Sequence, residues 1–229
     1  MKTAIVIIAF NKPDLLIKQV EKIQQFCTDE HDIIVVDNSN KKEAIEGIRH
    51  HATRLGCQYM KTNSGNSDGS LSHSFAANLS YIKLKDSYDY FLYLDHDCFP
   101  VKSFSVIETL GENVIAGIGQ NKSKTYVWPG CVMFKKDDLI DFGTNREFQL
   151  DTGGNLYKIM EHYGHDKCIF FDEQYCENIH FKSDTRYSYY SLINDGMFFH
   201  MVGGSNWMGI EKNEERINSL LNILDSITG

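Results

Sequence analysis

The stretch Tyr90-Phe91-Leu92-Tyr93-Leu94-Asp95-His96-Asp97 constrains the chain more than any other. A short apolar, aromatic-rich run bounded by polar sequence reads as a buried strand. It stops on two carboxylates separated by one residue. Acids at the end of a buried strand are costly unless something neutralises them, and hard carboxylate oxygens suit a divalent cation such as Mg²⁺ or Mn²⁺. Residues i and i+2 of a regular strand point to opposite faces, so Asp95 and Asp97 share a site only if the chain turns at the strand end. A solvated strand-to-loop turn is the competing explanation, because Asp is common in turns.

The preceding sequence supplies the sheet for such a strand. Ala4 to Phe10 is β-branched and apolar and reads as a first, fully buried strand. It is too short for a secretory leader and runs into Asn11-Lys12-Pro13-Asp14, with no small-x-small cleavage site. Pro13 suits a helix N1 position, and Leu15, Leu16, Val20, Ile23 and Phe26 follow at helical spacing. Asp32 to Asp37 is a second buried strand, Lys42 to Leu55 a helix, Cys57 to Lys61 a short strand and Ser72 to Leu84 a helix. Strand, helix, strand in this space is a right-handed parallel βαβ unit. Ligands of open parallel sheets gather at the carboxyl ends of the strands, where Asn11, Asp37 and Asp95 to Asp97 all fall. The polar loop from Thr62 to Ser70 could wrap phosphates through its backbone N–H groups, although it matches no phosphate-loop pattern.

Composition narrows the partners. With 229 residues, one large α/β domain is expected. A net charge of −8, from 31 acids and 23 bases, argues against nucleic acid and against attachment to anionic lipid. Six cysteines without a C-x-x-C spacing read as reduced thiols, so a cytoplasmic location is expected. No apolar run approaches a transmembrane helix in length, so no integral membrane segment is expected.

This order of elements resembles the GT-A fold glycosyltransferases and is especially similar to the broad family 2 group. The features that carry the likeness are a polar end on the first strand, a second strand ending in Asp37, the Asn63-x-Gly65 loop, a helix containing Ala76-Ala77-Asn78, and a strand ending Asp95-His96-Asp97. Two features depart from the family pattern. Asp37-Asn38 stands where two acids are common, and the spacing from Asn63 to Asn78 is longer than usual. The resemblance implies an α/β fold, a Rossmann-like three-layer α/β/α sandwich with a mostly parallel central sheet. It implies a nucleotide-sugar-binding half over residues 1–97 and an acceptor-binding half over residues 98–229 of one domain. It also implies a nucleotide-sugar donor, expected to be UDP-linked, held by Ala9, Phe10, Asn11, Asp37, Asn63, Gly65, Asn78, Asp95 and His96. The cation would be Mn²⁺ (or Mg²⁺), held by Asp95 and Asp97.

Beyond the acids, Phe99 to Leu110 reads as a connection and a helix, Val114 to Gly119 and Val127 to Phe134 as strands, and Lys135 to Leu139 as the start of a helix. In the resembled fold a strand here faces the acceptor. Trp128 would then stack on a sugar or lie in the core, and Gly130 would let sugar and backbone approach. Asp151 reads as the N-cap of a helix running to Gly164. In inverting members an acid at such a helix start is the general base, a role Asp151 takes here, with Asp172-Glu173 as the rival pair. His200-x-x-Gly203-x-x-x-Trp207 is similar to the family's metal-binding histidine region, which adds His200 to the ligands. Glu211 to Ile227 reads as a final helix whose apolar stripe packs on the domain or on the partner in a homodimer.

The expectation is a metal-dependent glycosyltransferase acting on a hydroxyl of a glycan or lipid-linked glycan acceptor, inverting through Asp151. A retaining transferase and a non-catalytic glycan- or nucleotide-binding module are the alternatives. A sugar-1-phosphate nucleotidyltransferase would need a glycine-rich basic loop after the first strand, which Asn11-Lys12-Pro13 does not supply. A phosphatase with an Asp-x-Asp nucleophile would carry that motif on its first strand.

Overall fold

Seven strands form one large sheet whose central strands are apolar and covered on both faces. The computed structural model describes residues 1–62, 68–177, 189–204 and 213–227. The first seven elements are β1 (Thr3–Ala9), α1 (Pro13–Phe26), β2 (His31–Asp37), α2 (Lys42–Arg54), β3 (Gln58–Lys61), α3 (Gly69–Leu84) and β4 (Tyr90–Asp95). There follow β5 (Cys98–Pro100), α4 (Val106–Leu110), β6 (Ile115–Asn121), β7 (Thr125–Lys135), α5 (Tyr157–Tyr163) and β8 (Cys168–Phe171). The chain closes with β9 (Glu173–Glu177), β10 (Tyr189–Ile193), β11 (Phe198–Met201) and α6 (Asn213–Ser226).

The large sheet has the order β3-β2-β1-β4-β7-β6-β8. β7 pairs antiparallel with both β4 and β6, and the other pairings are parallel. The mostly parallel sheet expected from sequence is therefore present, with one reversed strand inside it. Alternate residues of β1 go to opposite layers. Ile5, Ile7 and Ala9 join Leu16, Val20 and Ile23 of α1, Ile48 of α2 and Val106 of α4. Ala4, Val6 and Ile8 join Ala76, Ala77 and Tyr81 of α3 and Ile159 and Met160 of α5. Helices thus cover both faces, giving the three-layer arrangement.

A second sheet, of order β5-β11-β10-β9, stands beside the first. Leu15 of α1 and Phe99 of β5 pack there with Phe199, Met201, Ile217, Leu220 and Leu224. The apolar stripe of α6 is therefore spent on this chain's own core. Lys18 pairs with Asp225 at 2.6 Å, and Lys22 donates to the carbonyl of Ile227 at 2.7 Å, which ties α6 along α1.

Two local expectations change. Residues after Lys135 do not begin a helix, because the Asp137 carboxylate accepts from the Leu139 N–H at 2.7 Å and closes a turn instead. Asp151 is not a helix N-cap. A turn and a short 3₁₀ segment, Gly154–Leu156, separate it from α5, and Gly153 takes the left-handed φ of 78° that this change of direction needs.

Asp141 holds this irregular region to α3. It accepts from Gly143 N at 2.8 Å, Asn78 Nδ2 at 3.0 Å and Asn155 Nδ2 at 2.7 Å. Burial opposes its charge, but these donors prevail and keep its carboxyl below the ordinary range. A depressed carboxyl stabilises the fold above the unfolded value of about 3.9 and loses that contribution as pH falls through the folded value. Asp141→Asn should therefore melt below the parent protein at pH 7, and the gap should close below about pH 4. Melting curves from pH 7 to pH 3 check this, and a gap that stays constant would contradict it.

Candidate active site

The expected turn lies at the carboxyl edge of the large sheet. β4 ends at Asp95, His96 and Asp97 turn, and β5 leaves in the second sheet. Gln19 of α1, fully buried, spans the turn. Its Nε2 donates to the carbonyl of Asp95 at 2.8 Å and to that of Cys98 at 2.6 Å. Met201 N donates to the Asp97 carbonyl at 2.9 Å, which fastens the end of β11 to the same turn. The chain turns between the two acids as expected, yet the turn does not bring them to one partner: Asp95 meets His73 and Asp97 faces His200.

Asp97 is nearly buried and faces His200, with Oδ1 3.8 Å from Nε2. The other ring nitrogen of His200, Nδ1, lies 3.3 Å from Ser191 Oγ, and the Trp128 ring lies 4.9 Å from the imidazole, centroid to centroid. Gly204 backs onto Asp97. A Cβ there would come within 2.6 Å of Asp97 Cβ and 2.8 Å of Oδ2. The turn carrying Gly204 is held by Arg216 of α6, which donates to the Val202 carbonyl at 2.9 Å.

Asp95 looks the other way. Its Oδ1 meets His73 Nε2 of α3 at 2.6 Å. Burial opposes ionisation of both groups, but their mutual attraction wins. The imidazole is held above its ordinary range and the Asp95 carboxyl below its own.

These residues suit a divalent cation. Asp97 Oδ1 and His200 Nε2 face each other at 3.8 Å, beyond hydrogen-bond reach, and are the two groups that would hold the cation. Mn²⁺ tolerates a carboxylate with an imidazole, and Ser191 on the far nitrogen fixes the ring as an outer partner does. Among the described residues, no group of three or more His, Cys, Asp or Glu side chains is arranged to hold a metal. Two protein ligands are enough where phosphates and water complete the shell.

The other expected residues are placed as follows. Asn11 sits just past β1 with a left-handed φ of 55°. Its Oδ1 accepts from the N–H groups of Asn40 and Lys41, at 3.2 Å each. It thus ties the end of β1 to that of β2, and the Ala9 carbonyl helps by accepting from Asn38 N at 2.9 Å. Phe10 is half-buried at the same edge. Asp37 is fully buried, and both of its oxygens are used, by Ser39 N at 2.9 Å and by the Tyr59 hydroxyl at 2.7 Å. These two partners make Asp37 part of the turn that follows β2. Asn78 likewise spends both ends of its amide on the region beyond β7, donating to Asp141 and accepting from Phe142 N at 2.7 Å. His96 is buried beneath the turn, with Nδ1 3.3 Å from the Ile8 carbonyl. Asn63, Gly65 and Trp207 lie outside the described residues.

Among the residues expected on the acceptor side, Gly130 lies against the ring of Trp128. A Cβ at Gly130 would strike the indole, 2.0 Å from Cζ2. Asp151 is half-exposed, with Oδ2 2.9 Å from Lys122 Nζ and Oδ1 accepting from the Tyr126 hydroxyl. Burial opposes its charge, but these two partners hold its carboxyl below the ordinary range. Asp172, the rival acid, accepts from Asp195 N at 2.9 Å and pins the turn between β10 and β11.

Sequence reading missed His73, Gln19, Gly204 and Arg216. Gln19 left a trace, being the polar residue on the apolar face made by Leu15, Leu16, Val20 and Ile23. His73, one of nine histidines, left none.

No protein-family model matches the chain, and no curated protein matches its sequence. Its structure is similar to that of the mannosyltransferase PcManGT from Pyrobaculum calidifontis in complex with GDP-Man and Mn²⁺. The TM-score is 0.54 at 12% identity, over 73% of this chain and 54% of that one. It also matches TarS of S. aureus with a TM-score of 0.45 at 14% identity, over 68% of this chain and 33% of TarS. The chain thus spans about half the length of the mannosyltransferase and about a third of TarS. At these identities the likeness to the mannosyltransferase establishes the fold: a mixed α/β, Rossmann-like glycosyltransferase fold.

Proposed function

We propose that this chain is a metal-dependent glycosyltransferase that moves a sugar from a nucleoside-diphosphate sugar to a hydroxyl of a glycan or lipid-linked glycan acceptor. The observation that carries the reading is the pairing of Asp97 with His200 at 3.8 Å, on the turn that ends β4, at the sheet edge where α/β folds bind ligands. Asp97 and His200 would hold Mn²⁺ or Mg²⁺. When bound, the cation supplies positive charge for the departing nucleoside diphosphate. The first 97 residues would bind the donor, UDP-linked by resemblance to family 2, with a guanine nucleotide as the next candidate because the mannosyltransferase neighbour holds GDP-Man. The rest would form the acceptor side.

The surroundings of Asp151 bear on the stereochemical alternatives. Lys122 and Tyr126 keep Asp151 ionised, the form that accepts a proton from an acceptor hydroxyl in an inverting transfer. The same two partners occupy both its oxygens and make it a weak base, which favours a retaining transfer as the second reading. Trp128, half-buried against His200, offers an aromatic face to a sugar beside the cation site.

Thermal unfolding with UDP, GDP and other nucleoside diphosphates, each with and without Mn²⁺, tests the reading. A ligand bound only by the native state raises the midpoint by mass action. One nucleotide should do so only with Mn²⁺ present. No shift with any nucleotide under any metal condition would leave a binding module of another kind.

A further inference from the structure

The two acids of the Asp95-His96-Asp97 turn are not equivalent, and the difference comes from α3. Asp97 is nearly buried, its side chain 7% exposed, and the imidazole it faces, that of His200, is 3.8 Å away, too far for a hydrogen bond. Asp95 is 23% exposed, and its Oδ1 is engaged by His73 Nε2 at 2.6 Å. Its Oδ2 has no hydrogen-bond partner among the described residues. The backbone on either side is stapled by Gln19, so Asp95 moves only by rotating its side chain, and His73 blocks that rotation. A freely rotating carboxylate two residues from Asp97 would be a third ligand for the cation, since carboxylates are favoured by Mn²⁺ and Mg²⁺.

We propose that His73 is a positioning residue: it withholds Asp95 from the cation and leaves one carboxylate oxygen, Oδ2, as a fixed acceptor for a hydroxyl of the nucleotide-sugar donor. This rests on the transferase reading given above. The hydrogen bond does the work, so a neutral donor of similar reach at position 73 preserves it. The cation shell then keeps open positions for phosphate. In the absence of His73, Asp95 fills one of them and the donor loses both that position and the hydroxyl acceptor.

The test measures Mn²⁺ binding alone, by the electron paramagnetic resonance of free Mn²⁺, and then UDP and GDP binding by calorimetry at saturating Mn²⁺. The full-length parent, His73→Ala, His73→Phe and His73→Gln are compared, with melting midpoints for each. Ala and Phe should bind Mn²⁺ about threefold or more tighter while binding the nucleotide preferred by the parent about tenfold weaker. Gln, whose amide can donate to Asp95, should stay within about twofold of the parent on both. The Phe variant refills the space, so a loss of packing in Ala cannot imitate the result. A merely structural His73 would weaken Mn²⁺ and nucleotide together, and that outcome, or no change in either, overturns the proposal. A parent protein that binds neither Mn²⁺ nor any nucleotide overturns the transferase reading itself, which is a different result from a parent that binds both and variants that match it.

Discussion

Asp97→Asn should abolish saturable Mn²⁺ binding and lower sugar transfer by about a thousandfold or more, while the protein stays folded. Asn fills the same volume beside Gly204, so the tight contact of the backbone with Asp97 Cβ is kept. The charge that draws a cation towards His200 is removed, and an amide oxygen is a much weaker ligand than a carboxylate. The nearly buried Asp97 lies opposite an imidazole and close to Arg216, whose charge it feels. Its neutralisation takes that charge away from the buried Arg216 cation and should therefore lower the melting midpoint by several degrees, with the protein still folded at the temperature of the binding measurement. Asp95→Asn should behave differently, because Asp95 is held by His73 rather than aimed at the cation position. If Asp97→Asn binds Mn²⁺ like the parent, the cation site has been put in the wrong place.

The largest effect on stability is expected from Phe134→Ala. Phe134 lies on β7, fully buried, and its ring centroid is 5.2 Å from Phe91, 5.5 Å from Tyr93, 5.6 Å from Tyr81 and 5.8 Å from Phe142. It joins the reversed strand to β4, the strand that ends in the acids. Removing such a ring from a close-packed cluster costs about 3–5 kcal/mol, the lost transfer energy plus the cavity. Against a typical total of about 5–15 kcal/mol, that endangers the fold. Chemical denaturation should show the midpoint falling with little change in slope. A loss below about 1 kcal/mol would mean that the cluster collapses around the gap.

The parts of this molecule that were legible in the sequence are those fixed by local pattern. β1, β2 and β4 are apolar runs with nowhere to go but a sheet covered on both faces, and their polar ends mark its carboxyl edge. The turn at Asp95 to Asp97 was expected on the premise that the two acids share a site; the chain does turn there, but His73 takes Asp95 while Asp97 faces His200. His200 entered through family resemblance, and the structure places its Nε2 3.8 Å from Asp97 Oδ1. What stayed hidden depends on distant partners. Gln19 and the turn it spans are far apart in the chain, as are His73 and Asp95, and no spacing rule joins them. Asp151 was misjudged because an Asp before a helical pattern is the ordinary mark of an N-cap, whereas Gly153 adds a change of direction between them. Gly130 was expected to allow a close approach because the resembled fold has an acceptor-facing strand here; the group the structure places over it is the Trp128 ring.

The most direct test of the central claim is turnover of a panel of nucleoside-diphosphate sugars, followed by release of the nucleoside diphosphate, with Mn²⁺ and with chelator, in the parent and in Asp97→Asn. Many transferases slowly pass the sugar to water, so an unknown acceptor does not prevent the measurement. Release is expected from one donor type in the parent with Mn²⁺, and none with chelator or in Asp97→Asn. Equal release in all three conditions, or from no donor at all when the parent binds nucleotide and Mn²⁺ together, would contradict it.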